Sequence, residues 1–179
     1  MRIACEPLSA EAFAEFGDVI EPGAGETVSI NEGTTVRYND LARVDVAREG
    51  GRPLISIFDS QPFGFPLEVE LLERHPLGSQ AFVPWDRKPY LVVVAPAGET
   101  VAPGSVRCFL ARDSQGVNFH RGVWHHPVIV IEPMRFLVVD RGGEQENCDL
   151  FHFPAERPRM VIELPEGHGA PAGGKSFES

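Results

Sequence analysis

The chain has 179 residues, 42% hydrophobic and 23% charged, which predicts one domain with a sizeable buried core. Its formal net charge of -10 argues against nucleic acids and anionic membranes as partners, because both bind through basic surfaces. Its apolar runs fall far short of the roughly 20 residues of a membrane helix, and the N-terminus lacks the basic start and apolar centre of a signal peptide. We therefore expect a cytoplasmic protein.

Turn-forming residues are abundant, with 18 Gly and 16 Pro, and they predict short strands rather than long helices. Ser9 caps a predicted helix that runs to Phe16, with Gly17 as its stop signal. Residues 21–35 are predicted to form a long loop or a ragged edge strand. Predicted strands then follow at residues 54–58, 67–75, 80–83, 90–95, 106–111, 128–131, 135–140 and 148–153.

No amphipathic helices separate these strands, which favours an all-β fold built as an antiparallel β-barrel or sandwich. A last strand is predicted at residues 160–164. The segment 165–179 is rich in Gly, Pro and Ala and cannot build a core. The sequence therefore predicts a single domain of residues 1–164 and a flexible tail of residues 165–179.

Cysteine usage indicates the redox chemistry of the chain. Its 3 cysteines, Cys5, Cys108 and Cys148, form an odd number and show no CxxC spacing. This pattern indicates neither a disulfide framework nor a thiolate zinc site. We therefore expect reduced thiols.

The predicted strand at residues 67–75 is the most informative one, because successive side chains of a strand face opposite ways. Its odd positions begin apolar, and the same parity turns Glu73 and His75 toward the core. Leu72 interrupts the alternation, and a bulge there would turn Arg74 inward instead. The alternative is a strand end at the rim, with these polar residues in solvent.

A second cluster, QGVNFHRGVWHHP at residues 115–127, holds His120, His125 and His126, half of the 6 histidines in the chain. Imidazoles change charge near neutral pH and ligate metals when neutral, so we rank acid-base or substrate-binding use first and metal binding second. Packing against Trp124 is the third alternative. Zinc-finger and HExxH patterns are both absent from the sequence.

Other polar groups could complete a site beside these two segments. Ser79 and Gln80 follow a tight turn and would lie near His75 as uncharged hydrogen-bonding groups. Arg141, beside a double-glycine turn, is suited to clamp a carboxylate, although a surface pair with Asp140 is an equal alternative.

In five segments the chain resembles the ureidoglycolate lyase family of purine and allantoin degradation, which has a cupin-like β-barrel fold. The segments that carry the resemblance are residues 8–21, 37–44, 73–84, 115–127 and 136–149. The resemblance implies cleavage of (S)-ureidoglycolate to glyoxylate and urea without water. Such a reaction needs a base for the hydroxyl proton and an acid for the departing urea nitrogen. On this resemblance we expect His126 or His120 as the base and His75 or Glu73 as the acid.

The resemblance also suggests binding residues, a metal and a partner. The expected substrate-binding residues are Gln80, Ser79 and Asn118 for the ureido group and Arg74 or Arg141 for the carboxylate. From the sequence, Tyr38 in the segment 37–40 belongs either to a polar wall of the pocket or to an exposed turn. The family is associated with a divalent metal, nickel in particular, but this sequence lacks the HxH pair of typical metallocupins. If a metal is present, the expected ligands are His75, His120 and His126. The resemblance also implies the oligomeric state: members of this family form homodimers, so we expect a homodimer.

Two other functions remain open from the sequence. The first is a non-catalytic, cupin-like domain that binds or senses a small acid, since a fold alone does not establish activity. The second is a metal-dependent cupin enzyme acting on another small acid. That enzyme would need His75, His120 and either His125 or His126 to converge on one ion.

Overall fold

The computed structural model describes residues 1–112, 114–165 and 167. The strands are β1 (Cys5–Pro7), β2 (Gly17–Ile20), β3 (Glu26–Ile30), β4 (Thr35–Asn39), β5 (Arg52–Ser60), β6 (Leu67–Glu68), β7 (Leu71–Arg74), β8 (Gln80–Pro84), β9 (Tyr90–Ala95), β10 (Arg107–Ala111), β11 (Gly116–Phe119), β12 (Trp124–His125), β13 (Ile129–Val130), β14 (Met134–Gly142), β15 (Asp149–His152) and β16 (Val161–Ile162). The α-helix is α1 (Ala10–Phe13), and 3-10 turns lie at Asn31–Gly33, Arg48–Gly50 and Pro103–Ser105. The all-β class and the short N-terminal helix are confirmed.

Most strands belong to two sheets. The seven-stranded sheet has the order β1-β10-β9-β12-β7-β15, with β13 also pairing with β9, and the five-stranded sheet has the order β2-β11-β8-β14-β5. From β7 to β15 the chain passes repeatedly from one sheet to the other, so many consecutive strands face each other instead of hydrogen-bonding. The described residues consequently form a sandwich of sheets, and the closed barrel expected from the resemblance is not observed.

The core has two layers, one on each face of the seven-stranded sheet. In the layer between the main sheets, Phe13 of α1 packs edge-on against Phe109 at a ring-centroid distance of 5.5 Å. The second layer lies on the opposite face, beneath the small sheet of β6 and β16. Strand β9 is buried along its whole length because it contributes side chains to both layers. This double burial explains its continuous apolar run.

The N-terminal elements follow the sequence signals only in part. The hydroxyl of Ser9 accepts a hydrogen bond from the Ala12 N–H at 3.2 Å, as expected of a helix cap. The α-helix ends at Phe13, before the predicted end at Phe16, and Gly17 begins β2. A Cβ atom on Gly17 would collide with the backbone carbonyl of Asn118, so this position depends on the missing side chain.

The predicted strand at residues 67–75 is interrupted between β6 and β7. Val69 and Leu72 lie in the same apolar layer although they are three positions apart, so the alternation changes phase between them. The prediction that Glu73 shares a face with Leu67 and Val69 is therefore wrong. Glu73 nevertheless faces the space between the main sheets, because the interruption reverses the parity of the residues in β7.

Residues 21–35, predicted as a loop or edge strand, contain β3, which pairs with β4 in a separate hairpin. Of the predicted tail, residues 166 and 168–179 lie outside the described residues. Among the residues that are described, no helix is both long and apolar enough to cross a membrane.

Candidate functional site

A carboxylate and two imidazoles meet on the inner face of the seven-stranded sheet. His125 of β12 lies directly opposite Glu73 of β7 in the antiparallel ladder, so both side chains point the same way. His125 Nε2 is 3.5 Å from Glu73 Oε1, and the ring centroids of His75 and His125 are 5.1 Å apart. One potential ligand atom from each residue lies within 4.8 Å of the others. We call Glu73, His75 and His125 the His-Glu cluster.

Backbone carbonyls fix the proton positions of both imidazoles. His75 Nδ1 lies 2.6 Å from the Asn147 carbonyl oxygen, and His125 Nδ1 lies 3.0 Å from the Val123 carbonyl oxygen. A carbonyl only accepts, so each Nδ1 carries the hydrogen and each neutral ring leaves Nε2 with a free lone pair. Both Nε2 atoms are buried and have no hydrogen-bond partner within the described residues. They are therefore available to a proton or a cation.

The surroundings shift the pKa values of the cluster in directions that suit this use. Burial lowers the pKa of His75, and positive charge on His125 acts in the same direction. Burial would raise the pKa of Glu73, but contact with His125 and the charges of the neighbouring imidazoles outweigh it and lower that pKa. At neutral pH the cluster thus holds an ionised carboxylate beside a neutral, basic His75.

The facing sheet contributes two more acceptors. Gln80 begins β8, and its side chain interacts with His75, yet its side-chain oxygen finds no hydrogen-bond donor among the residues described. Asp140 of β14 has the same strand parity as Val138 and Phe136, which pack in the inner core layer. Its buried Oδ1 is likewise without a partner in the described part of the chain. These groups favour a ligand rich in hydrogen-bond donors or a cation.

An aromatic ring holds His125 in place between the sheets. Phe119 of β11 stacks on His125 with a centroid distance of 4.2 Å and an interplanar angle of 9°. Only 1% of the His125 surface is exposed. Rigid packing of this kind preserves the orientation of a catalytic or metal-binding ring.

The structure separates the other two predicted histidines from the cluster. His126 follows His125 and faces the opposite side of the sheet, where its ring packs edge-on against Phe63 at 5.6 Å. Its Nδ1 donates to the Pro127 carbonyl oxygen at 2.8 Å. His120 is exposed, and its Nε2 lies 3.2 Å from Asp18 Oδ1. Neither residue takes the position expected of a base or of a metal ligand beside His75.

Two predicted ureido-binding groups instead hold a loop. The Ser79 hydroxyl accepts from the Asp45 N–H at 2.9 Å. The buried Asn118 side chain donates to Asp18 Oδ2 at 2.9 Å and to the Arg43 carbonyl oxygen at 3.1 Å. Asn118 has the opposite parity to Phe119, which faces the core, so it points away from the His-Glu cluster. Both contacts anchor residues 43–45 to the outer face of the five-stranded sheet.

The predicted basic and aromatic residues are also directed elsewhere. Arg74 leaves β7 on the face opposite Glu73, where its Nε donates to Asp149 Oδ2 at 2.8 Å. Arg141 is buried on the face of β14 opposite Asp140; its Nη2 donates to the Arg48 carbonyl oxygen at 2.8 Å, while its Nη1 has no partner among the described residues. Tyr38 lies exposed on the β3-β4 hairpin. The structure thus brings Glu73, His75 and Gln80 together from the predicted set.

The sequence ranked acid-base use first for the cluster that contains His125 but named His125 individually only as an alternative metal ligand, and it missed Asp140 as a site residue. One available signal was the alternation in Trp124-His125-His126, which places His125 opposite the apolar Trp124. Cys148 also borders the site, with its Sγ 3.9 Å from Glu73 Oε2. Burial and the nearby Glu73 charge raise the pKa of this thiol.

An all-β sandwich with two buried imidazoles and a carboxylate between its sheets offers a site for acid-base chemistry or for a metal ion. Sequence comparison identifies the family: the ureidoglycolate lyase family model matches residues 1–160. A ureidoglycolate lyase of Burkholderia mallei is 54% identical over 153 residues, covering 85% of this chain and 89% of the relative. One of Pseudomonas aeruginosa is 52% identical over 159 residues, covering 88% and 94%. This chain belongs to the ureidoglycolate lyase family.

Proposed function

We propose that this chain cleaves (S)-ureidoglycolate to glyoxylate and urea, a step of purine and allantoin degradation, at the His-Glu cluster. The observation that carries the proposal is the pair of buried, unshared Nε2 lone pairs of His75 and His125 beside the Glu73 carboxylate. Membership of the ureidoglycolate lyase family supports the same substrate. A domain that only binds a small acid gains little from several titratable groups that lie within 4.8 Å of one another.

The reaction removes one proton from the substrate hydroxyl and adds one proton to the leaving nitrogen. Ureidoglycolate carries a hydroxyl and a ureido nitrogen on the same carbon. Removing the hydroxyl proton lets that oxygen form a carbonyl, while the electrons of the carbon-nitrogen bond leave with urea, whose nitrogen takes a proton. No water is consumed, and the proton count balances.

The cluster divides these two tasks between its imidazoles. Because burial lowers the pKa of His75, its Nε2 is unprotonated at neutral pH and accepts the hydroxyl proton. The proton then passes to His125, whose ring centroid is 5.1 Å from that of His75 and whose Nε2 lies 3.5 Å from Glu73 Oε1. From His125 Nε2 it reaches the leaving nitrogen, and both rings return to their starting state.

Recognition of the ureido group rests on the acceptors of the facing sheet. The ureido group presents several N–H donors, and the unpartnered oxygens of Gln80 and Asp140 are suited to accept them. This pairing would satisfy buried acceptors that otherwise cost free energy. We therefore keep Gln80 as a ureido-binding residue and add Asp140 as a second one.

A divalent cation such as Ni2+ fits the same cluster. The donor set is two imidazole nitrogens and a carboxylate, and carbonyls already orient both rings through Nδ1, as around bound metals. Arg74 donates to Asp149, and Arg141 leaves β14 on the face opposite Asp140, so neither arginine offers the substrate carboxylate a positive partner at the cluster. When bound, such a cation supplies that positive charge and favours ionisation of the substrate hydroxyl.

The decisive experiment measures urea and glyoxylate release from racemic ureidoglycolate before and after exhaustive chelation. Equal release of both products, above spontaneous decay and with half of the racemate consumed, is the expected result. Activity that survives chelation assigns His75 and His125 to direct proton transfer, whereas activity lost and then restored by Ni2+ assigns them to holding the cation. No release in either state, with or without added Ni2+, contradicts the proposed function.

We further propose that the protein is a homodimer. Ile55 and Ile57 of β5 are 74% and 50% exposed, and in the ladder they lie beside Val139 and Leu137 of β14. An exposed apolar row on a sheet is suited to pair with a second copy of the same surface. Light scattering during gel filtration tests the mass, and Ile55→Lys together with Ile57→Lys is expected to yield a monomer.

A further inference from the structure

Two cysteines remote in sequence face each other at the edge of the seven-stranded sheet. Cys5 of β1 and Cys108 of β10 are direct partners in a parallel ladder. Their Sγ atoms are 2.8 Å apart. Adjacent strands bring Cα atoms into the range that a disulfide spans, and here the side chains already point at each other. Little movement therefore separates this thiol pair from a covalent bond.

The two thiols differ in access and acidity. Cys5 is partly exposed on the three-residue strand β1, whereas Cys108 is fully buried. The hydrogen bond from Cys108 lowers the pKa of Cys5 and outweighs its burial. The same contact and burial raise the pKa of Cys108. The more acidic thiol thus belongs to the partly exposed residue, and low pKa together with exposure is what makes a cysteine susceptible to peroxides.

We propose that Cys5 and Cys108 form a reversible oxidation site, in which a peroxide converts the two thiols to a disulfide. The Cys5 thiolate attacks one peroxide oxygen, which breaks the O–O bond, gives a sulfenic acid on Cys5 and releases water once the leaving oxygen is protonated. The Cys108 sulfur then attacks the Cys5 sulfur, forms the S–S bond and expels the second water with its proton. Two thiols are oxidised, and one peroxide is reduced to two waters.

The disulfide would fasten the N-terminal strand to the body of the sheet. The noncovalent contacts of this segment include the hydrogen bonds from Ile3 N to Val161 O at 2.9 Å and from Leu8 N to Leu110 O at 3.0 Å, and an ion pair between Arg107 Nη2 and Glu6 Oε2 at 2.8 Å. A bond from residue 5 to residue 108 closes a loop of more than half the chain, which restricts the unfolded ensemble strongly. Oxidation is therefore expected to raise the Tm by about 5 °C or more.

The test uses the full chain carrying Cys148→Ser, so that only the pair can react. Treatment with hydrogen peroxide is expected to lower the intact mass by about 2 Da, to abolish alkylation of both thiols after unfolding, and to raise the Tm. Peptide mapping is expected to find Cys5 linked to Cys108, and dithiothreitol is expected to reverse every change. The matched control carries Cys5→Ser in addition; the partly exposed position leaves its fold intact, and it should show none of these effects.

Three results would overturn the proposal. The first is full alkylation of both cysteines after peroxide treatment. The second is a gain of about 32 Da on Cys5, the mass of a sulfinic acid, without a link to Cys108. The third is a disulfide between two chains in place of the internal one. Each readout is independent of lyase activity, so the outcome does not depend on the proposed function.

Discussion

The adjacent residues His125 and His126 offer a sharp test of the site, because they face opposite sides of one strand. We predict that His125→Asn lowers kcat/KM for ureidoglycolate by at least about 10²-fold, the usual scale for losing an acid-base group. That loss corresponds to about 2.7 kcal/mol or more of transition-state stabilisation. Asparagine retains a donor for the Val123 carbonyl, 3.0 Å from Nδ1 at present, but it has nothing at the Nε2 position.

His126→Asn is the matched control. It also removes a buried ring and keeps a short donor near a carbonyl, in this case that of Pro127 at 2.8 Å from Nδ1. Both variants lose ring packing, against Phe119 for His125 and against Phe63 for His126, and each should lower the free energy of unfolding by about 1–3 kcal/mol. We expect the Tm to fall in both variants and the activity to fall strongly in His125→Asn alone.

The assay is initial-rate glyoxylate release at a temperature well below both Tm values, with folding checked by circular dichroism. The reasoning would be refuted if folded His125→Asn kept wild-type kcat/KM. It would be refuted equally if His126→Asn lost activity to the same extent as His125→Asn, because the two rings pack against different aromatic residues on opposite faces of the sheet.

Three other properties of the chain can be tested in the same way. Glu73→Gln keeps the shape of the side chain but removes the negative charge beside His125. We expect kcat to fall about 10²-fold with little change in Tm. An unchanged kcat would exclude the carboxylate from the reaction. Burial lowers the pKa of His126 below 6.5, so the unfolded chain binds the proton first and stability decreases as the pH falls through about 6.5. His126→Asn should flatten the plot of Tm against pH between about 7 and 5.5, and an identical slope in both proteins would contradict this origin. Gly17→Ala should lower the Tm by several degrees, because overpacking against the Asn118 carbonyl costs about 1–3 kcal/mol, while Gly104→Ala, with open space around its Cβ, should not; equal Tm values for the two variants would contradict the collision.

The pairing of Glu73 with His125 shows what strand parity could not predict. Parity placed Glu73 on the face of Leu67 and Val69, but the strand is interrupted between Val69 and Leu72, and Glu73 faces the space between the main sheets on the opposite side. A sequence cannot reveal such a phase change, because it depends on how the chain crosses from one small sheet to another. Tertiary structure also decides that His125, and not His126, is the histidine beside Glu73, because the cross-strand register places His125 opposite Glu73.

The all-β class, the Ser9 helix cap, the family and the two segments that supply the His-Glu cluster could all be predicted from the amino-acid sequence alone. These features depend on local composition, on alternation along a strand and on motifs of fixed spacing, all of which are properties of neighbours in the chain. The tertiary structure was needed to show that the sheets form a sandwich, that Gln80 and Asp140 face the imidazoles, and that Arg74 and Arg141 bind other groups. Those facts depend on register and on sheet packing between residues far apart in sequence, and no local pattern encodes them.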